Sequence, residues 1–168
     1  MASDRRHEMT GRSLPNVTQI GLLLQAAKTN DPELGCFLHV AVSTGARRGE
    51  LCALRWRDLN SRIHTLFIDG SKIDSPGEIS DTSTKTLDTR HITLDAPTLQ
   101  AFDEQRNRAI DRSKQANVAL TEDSYVFSPA PDGLVPWNPY IISKRFEKLQ
   151  HSLGYDGITL HDLRHYCI

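Results

Sequence analysis

The sequence lacks any long apolar run. Its longest, around Ile20 to Leu24, falls far short of the ~20 residues that a membrane-spanning helix needs. The polar, arginine-containing start also lacks the apolar stretch of a secretory signal. A soluble, cytoplasmic protein without a membrane partner is therefore expected. Cysteine is scarce as well. Cys36, Cys52 and Cys167 are odd in number and widely spaced, which argues against a disulfide framework or a zinc knuckle and for buried free thiols. Charge of one sign is missing too: Lys and Arg number 20 against 21 Asp and Glu, for a net charge of −1. The whole chain thus carries no electrostatic footprint for nucleic acid. Nor is there an internal repeat or a low-complexity tract, so repeat arrays are excluded.

What is present fits one unit. A chain of 168 residues with 38% hydrophobic content can bury a single core. The basic residues are unevenly chosen, 14 of the 20 being arginine, the side chain suited to bidentate phosphate contact. Several fall together in Arg47-Arg48 and Arg55-Trp56-Arg57, so a local phosphate site stays open despite the neutral total.

Residues 1–16 are polar, carry Gly11 and Pro15 and show no apolar period, which reads as a linker before a domain over 17–168. Helical spacing then recurs at Ile20, Leu23, Leu24 and Ala27, and after Asp31-Pro32 at Leu34, Phe37, Leu38, Ala41 and Val42. Thr44-Gly45 interrupts it, and a short helix from about Arg47 to Leu54 follows. His64 to Ile68 and Arg90 to Leu94 are β-prone runs that predict a small antiparallel sheet. Pro97 opens a polar helix to about Val118, with Leu99, Phe102, Ala109 and Ile110 as its apolar stripe. Ile142, Phe146, Leu149 and Leu153 mark another helix, ended by Gly154 to Gly157. Thr159 can cap a last helix that starts near Leu160 and is still running at Ile168, a pattern that suggests a truncation. The expected class is α+β, mainly α.

Three groups of residues could carry chemistry. His161, Arg164 and His165 fall on one helix face by their spacing of three and four. Two histidines one turn apart can hold a metal, and an arginine with a histidine can hold an anion; Arg164 favours the anion, because a guanidinium repels a cation and grips a phosphate. In Thr44-Gly-Ala-Arg47-Arg48-Gly-Glu50-Leu51, an arginine just after a glycine lies near exposed backbone N–H groups, and Glu50 can fix its orientation. The plainer alternative is a surface pair between Arg47 and Glu50 worth a few tenths of a kcal/mol. Lys85-Thr86 precedes the second β-prone run, where a lysine can donate a proton to a leaving oxygen, or simply be a solvated turn residue.

Taken together and in this order, these groups resemble the catalytic domain of the tyrosine recombinase, or phage integrase, family. The resemblance covers nearly everything from Thr18 onward. Thr44 to Leu51 with Leu54, Arg55, Trp56 and Asp58 is similar to the family's first arginine box. Lys85-Thr86 through Leu94 is similar to its lysine hairpin, and His161-Asp-Leu-Arg-His165 to its second box. The resemblance implies site-specific recombination of double-stranded DNA through a 3′-phosphotyrosine bond, without metal, nucleotide or other cofactor, by a protein that oligomerises on DNA. Arg47 and Arg164 match the arginines on the non-bridging oxygens, Lys85 the general acid and His161 the histidine that bonds the phosphate. Glu50 and His165 match supporting residues, and Arg48 is a further DNA contact. Lys72 is the alternative general acid.

The chain departs from the family pattern after the second box: no tyrosine follows downstream of it. Tyr166 adjoins the box on the same helix and turns away from His161 and Arg164, so a core role is expected for it and the nucleophile is expected to be absent. The fragment alone is then expected to be inactive and monomeric. Two other readings stay open, a DNA-binding remnant or regulator that never cleaves, and a metal hydrolase on His161, Asp162 and His165.

Overall fold

In the computed structural model, residues 14–69 and 89–166 are described, and they form a mainly helical domain with a three-stranded sheet. Helix α1 spans Val17–Asn30 and α2 Pro32–Thr44. Each begins where the sequence supplies a cap. The Asn16 carboxamide accepts from the Gln19 N–H while the Gln19 side chain bonds back to the Asn16 N–H, and Asp31 accepts from the Leu34 N–H ahead of Pro32. Ile20, Leu23 and Ala27 of α1 bury against α2, and Gly35 lets the two backbones close: a Cβ there would stand 2.7 Å from the Lys28 Cα. Helix α2 is the central rod, buried along Leu34, Phe37, Leu38, Val40 and Ala41, and it touches α1, α4, α5 and the closing turn of the chain.

Helix α2 stops at Gly45, whose φ of 62° is the left-handed geometry that glycine adopts without a Cβ penalty. A short helix α3, Arg48–Cys52, follows, then a 3-10 turn at Trp56–Asp58. Arg47 is therefore not in the first helical turn, as the sequence suggests, but is the extended residue that precedes it. Strands β1 (Leu59–Asn60), β2 (Thr65–Ile68) and β3 (Arg90–Thr93) pair antiparallel in chain order. The β2–β3 register sets Ile68 opposite Arg90 and Leu66 opposite Ile92, so Arg90 shares the face on which Leu66 and Ile68 are buried. The strand β1 is too short to show a period in the sequence.

Helix α4 spans Ala96–Gln115 and α5 Pro139–Ser152. The stripe of α4 differs from the apolar one expected. Thr98, Phe102, Gln105, Ala109 and Ser113 are its buried positions, while Leu99 and Ile110 are half-buried. Gln105 goes inside because its amide has work there, donating to the Val126 carbonyl at 3.1 Å and to Glu33 at 3.2 Å. The last element is a 3-10 helix at Asp162–Tyr166 rather than an α-helix. The Asp162 carboxylate accepts from both the N–H and the hydroxyl of Thr159, at 2.6 and 2.7 Å, and so closes the turn. Cys36 and Cys52 are buried free thiols, and burial pushes both up to about 12; Cys167 lies outside the described residues.

Candidate phosphate-binding groove

A groove of about 500 Å³ opens where α3, the start of α5 and the closing 3-10 helix meet. Arg47, Arg48, Gly49, Ser143, Thr159, Leu160, His161 and Arg164 line it. Residues nearly 120 positions apart in the chain thus meet in one concavity, and no carboxylate is among the lining residues. A second cavity of equal volume, between α1, α2 and α4, contrasts with it by mixing Lys28, Arg108 and Glu104.

Each cation is held by a different device. The Arg164 Nε donates to the Gly45 carbonyl at 2.8 Å, so the left-handed residue that ends α2 also aims this guanidinium. That bond uses Nε and leaves the two terminal nitrogens of the fork to face the groove that Arg164 lines. His161 stands one 3-10 turn before Arg164, whose N–H bonds to the His161 carbonyl at 3.2 Å, and residues three apart eclipse in that geometry. This brings His161 and Arg164 to one side by a different helix type from the one expected. His165 lies outside the lining, with its ring 5.8 Å edge-on to that of His161. Arg48 donates to the Ser143 hydroxyl, which ties α3 to α5 across the groove. Spacing alone did not single out Ser143; only the packing of α5 brings it here.

Beneath Arg47 sits Glu50, 2% exposed. Its Oε2 accepts from the Arg47 N–H at 2.6 Å and its Oε1 from the Arg47 Nη1 at 3.2 Å. The rest of its capacity goes to Arg90, which donates from Nη1 to Oε1 at 3.0 Å and from Nη2 to Oε2 at 2.8 Å. Both oxygens thus accept two bonds each, which fills the lone-pair sites of a carboxylate. Burial by itself would raise the Glu50 carboxyl. The hydrogen bonds from Arg90 and the Arg47 backbone, with both guanidinium charges, outweigh it and hold the group below its ordinary value. Of the pair expected from the sequence, Arg47 with Glu50, the structure makes a triad in which Arg90 is the stronger partner.

Lys85, Thr86 and Lys72 lie outside the described residues. Tyr166 is half-buried against the core and lines a different, smaller cavity with Val42, Ser43, Leu94 and Thr98. Asp162 is engaged in its turn, and among the described residues no group of three or more His, Cys, Asp or Glu side chains could hold a metal ion. No described helix is long and apolar enough to cross a membrane.

The fold and the groove define a recognisable class. The model of the phage integrase family matches residues 16–168, and the chain belongs to that family. It is 31% identical over 131 residues to the integrase of Escherichia phage HK022, covering 76% of this chain and 30% of that protein. It is 24% identical over 130 residues to the ICEBs1 integrase of Bacillus subtilis, covering 77% of this chain and 34% of that one. The chain therefore spans about a third of the length of these relatives. Among solved structures, the fold matches the Tn1549 transposon integrase in complex with transposon right end DNA. The TM-score there is 0.71 at 16% identity, over 95% of this chain and 52% of that one. It also matches the XerA recombinase, with a TM-score of 0.68 at 19% identity, over 92% of this chain and 48% of that one.

Proposed function

We propose that this chain supplies the phosphate-gripping part of a tyrosine recombinase active site, acting on double-stranded DNA in site-specific recombination. The observation that carries this is the groove itself: three guanidinium groups and a histidine, with no carboxylate among the lining residues, in a protein whose net charge is −1. Arg47 and Arg164 grip the two non-bridging oxygens of the scissile phosphate and neutralise the charge that builds up in the pentacoordinate transition state. His161 hydrogen-bonds the same phosphate, Arg48 contacts the neighbouring backbone, and Lys85 protonates the leaving 5′-oxygen, with Lys72 as its competitor for that task. Glu50 and His165 act as supporting residues, and the reaction needs no metal or cofactor, because the phosphodiester energy is kept in a protein-linked ester.

The nucleophile in this reading is a tyrosine, and none of the four tyrosines lines the groove. Tyr125 lies under the Arg55 guanidinium, Tyr140 is exposed near Lys144, and Tyr155 and Tyr166 pack against the core. The 168-residue chain is therefore expected to bind duplex DNA and to form no covalent adduct with it. Fluorescence anisotropy on a labelled duplex between 50 and 200 mM salt tests the first part, with log K falling linearly against log salt by ~0.9 per phosphate neutralised. Binding indifferent to salt would sink the proposal. For the second part, a nicked duplex is incubated with the chain and resolved on a denaturing gel; an adduct lost on Tyr166→Phe would overturn the placement of Tyr166. The same assay on a longer protein that carries a suitably placed tyrosine should give an adduct that Arg164→Ala abolishes.

A further inference from the structure

We infer that Arg90 is a positioning residue for phosphate binding: by neutralising Glu50 it leaves Arg47 a net cation, free to engage the DNA backbone. The inference rests on the functional reading just given and adds a residue that does not line the groove.

Charge and donor number set the role of Arg90. Glu50 has one negative charge, is buried, and lies against two guanidinium groups. A buried carboxylate facing Arg47 alone would claim as many of its donors as geometry allows, because an under-satisfied charge away from water is costly. The result would be a neutral pair, with the guanidinium turned inward. Arg90 prevents this. It offers its two terminal nitrogens side by side, the fork geometry that matches a carboxylate, and so takes two of the four acceptor positions. The Arg47 backbone N–H takes a third, and a single side-chain bond from Nη1 takes the last. A guanidinium has five N–H donors, so Arg47 keeps most of its own for a ligand, and half of its side chain is exposed. The triad of Arg47, Glu50 and Arg90 sums to one positive charge, delivered at the groove.

The placement of Arg90 is equally specific. The register that pairs it with Ile68 turns it to the buried face of the sheet, where it is 26% exposed, and toward the underside of α3. Among the described residues, Arg90 is the side chain through which the sheet meets Glu50, and by way of that carboxylate it acts on Arg47.

The test compares salt dependence in the wild-type chain, Arg47→Gln, Arg90→Gln and the double variant Arg90→Gln with Glu50→Gln, each titrated onto the same labelled duplex. Loss of one phosphate contact lowers the slope of log K against log salt by ~0.9. Arg47→Gln and Arg90→Gln are both expected to show that drop, although only Arg47 touches the groove. The double variant, which removes the negative charge with the positive one, is expected to regain the wild-type slope. A purely structural Arg90 would lower the melting temperature and leave the slope unchanged. An Arg90→Gln slope equal to wild type, with Arg47→Gln reduced, overturns this inference alone. Should the wild-type chain show no salt-dependent binding, the functional reading fails, and Arg90 is then judged on the protein without DNA. There, carbon-13 NMR titration of the Glu50 carboxyl should show a higher midpoint in Arg90→Gln than in wild type, and an unchanged midpoint overturns the inference. If Arg90→Gln does not fold, Arg90→Lys, which keeps the charge but not the fork, and the charge-neutral double variant carry the comparison: both should hold the wild-type slope, and a fall in either overturns it.

Discussion

Two arginine clusters lie within ten residues of each other in the sequence, and the fold puts them to opposite uses. Arg47 and Arg48 face a groove without a carboxylate in its lining. Arg55 and Arg57, flanking Trp56, are absorbed by the protein itself. Arg55 donates to the Asp123 carbonyl at 2.7 Å and to the Tyr125 hydroxyl at 3.0 Å, with its guanidinium 4.4 Å from the Tyr125 ring centre. Arg57 pairs with the Asp123 carboxylate, and Arg106 covers the Trp56 ring while pairing with Glu122. What decides between a structural and a ligand-binding arginine is thus the census of acceptors around it, carbonyls and hydroxyls as well as carboxylates: Arg55 is taken up by a carbonyl and a phenol, whereas Arg47 shares Glu50 with Arg90 and keeps most of its donors for the groove. A cluster of like charge in the sequence says nothing about that census, because Asp123 and Glu122 come from a loop nearly seventy residues away.

The structural cluster is built around Trp56. Trp56 is fully buried, and its backbone N–H bonds to the Ser124 carbonyl at 3.1 Å, joining the first arginine box to that loop. Trp56→Ala is expected to cost about 3–5 kcal/mol of stability, as for other large-to-alanine changes in a core. Chemical denaturation checks it, and a cost below ~1 kcal/mol would show that the site does not depend on this anchor. The indole N–H has no partner among the described residues, so Trp56→Phe forfeits no hydrogen bond and should cost much less.

On the groove side, the paired change of Arg47→Gln and Arg164→Gln removes two charge-assisted contacts to phosphate, each worth ~1.5–3 kcal/mol. Duplex affinity should fall by on the order of a hundredfold or more, with the salt slope reduced by ~1.8. The matching change of Arg55→Gln and Arg57→Gln is expected to leave the slope unaltered. Equal losses in the two pairs would erase the distinction drawn here.

Much of this was legible in the sequence, for physical reasons that can be named. The periods of α1, α2 and α5, the Asp31-Pro32 start of α2 and the two β-prone runs are local signals, and each appears as an element near its expected place. The two arginine boxes were legible because family resemblance preserves order, and Arg47, Arg48, His161 and Arg164 do line one groove. Arg90 was not, although it stands inside a strand that the sequence marked. Its importance depends on which face the register presents and on a carboxylate forty residues earlier, and neither is a local property. The stripe of α4 was misread for a related reason: Gln105 is polar by type but is satisfied inside by Val126 and Glu33, partners that only the tertiary structure supplies. Ser143 was missed because a serine on an amphipathic helix carries no signal of its own.

Acid should separate the two regions more gently. The Glu50 carboxyl is held below its ordinary value in the folded chain, so its contribution to stability is fully present above the unfolded value of about 4.3 and is lost as pH falls through the lowered folded value. Melting temperatures of wild type and Glu50→Gln should therefore differ by a constant amount from pH 5 to 7 and converge as the pH is taken below 4. A difference that grew on acidification would have the wrong sign for a stabilised carboxylate. The Arg55 contacts are made to a carbonyl and a phenol hydroxyl rather than to a carboxylate, and should be unaffected.

The smallest effect is expected at Arg57. Its partner Asp123 and its own side chain are both half exposed or more, at 62% and 50%, so the pair sits in water and is screened by salt. Exposed ion pairs of this kind contribute at most ~1 kcal/mol, and Arg57→Gln should change stability by less than that. The informative quantity is the double-mutant cycle with Asp123→Asn, which isolates the coupling from other effects of either change. A coupling near zero at 0.5 M salt and a few tenths of a kcal/mol at 0.05 M is the expected outcome. If Arg57→Gln also left duplex affinity within a factor of two of wild type, the second cluster would be assigned to structure throughout. A loss approaching that of Arg47→Gln would instead place Arg57 on the DNA path, and Asp123 would then be a competitor that the phosphate backbone displaces.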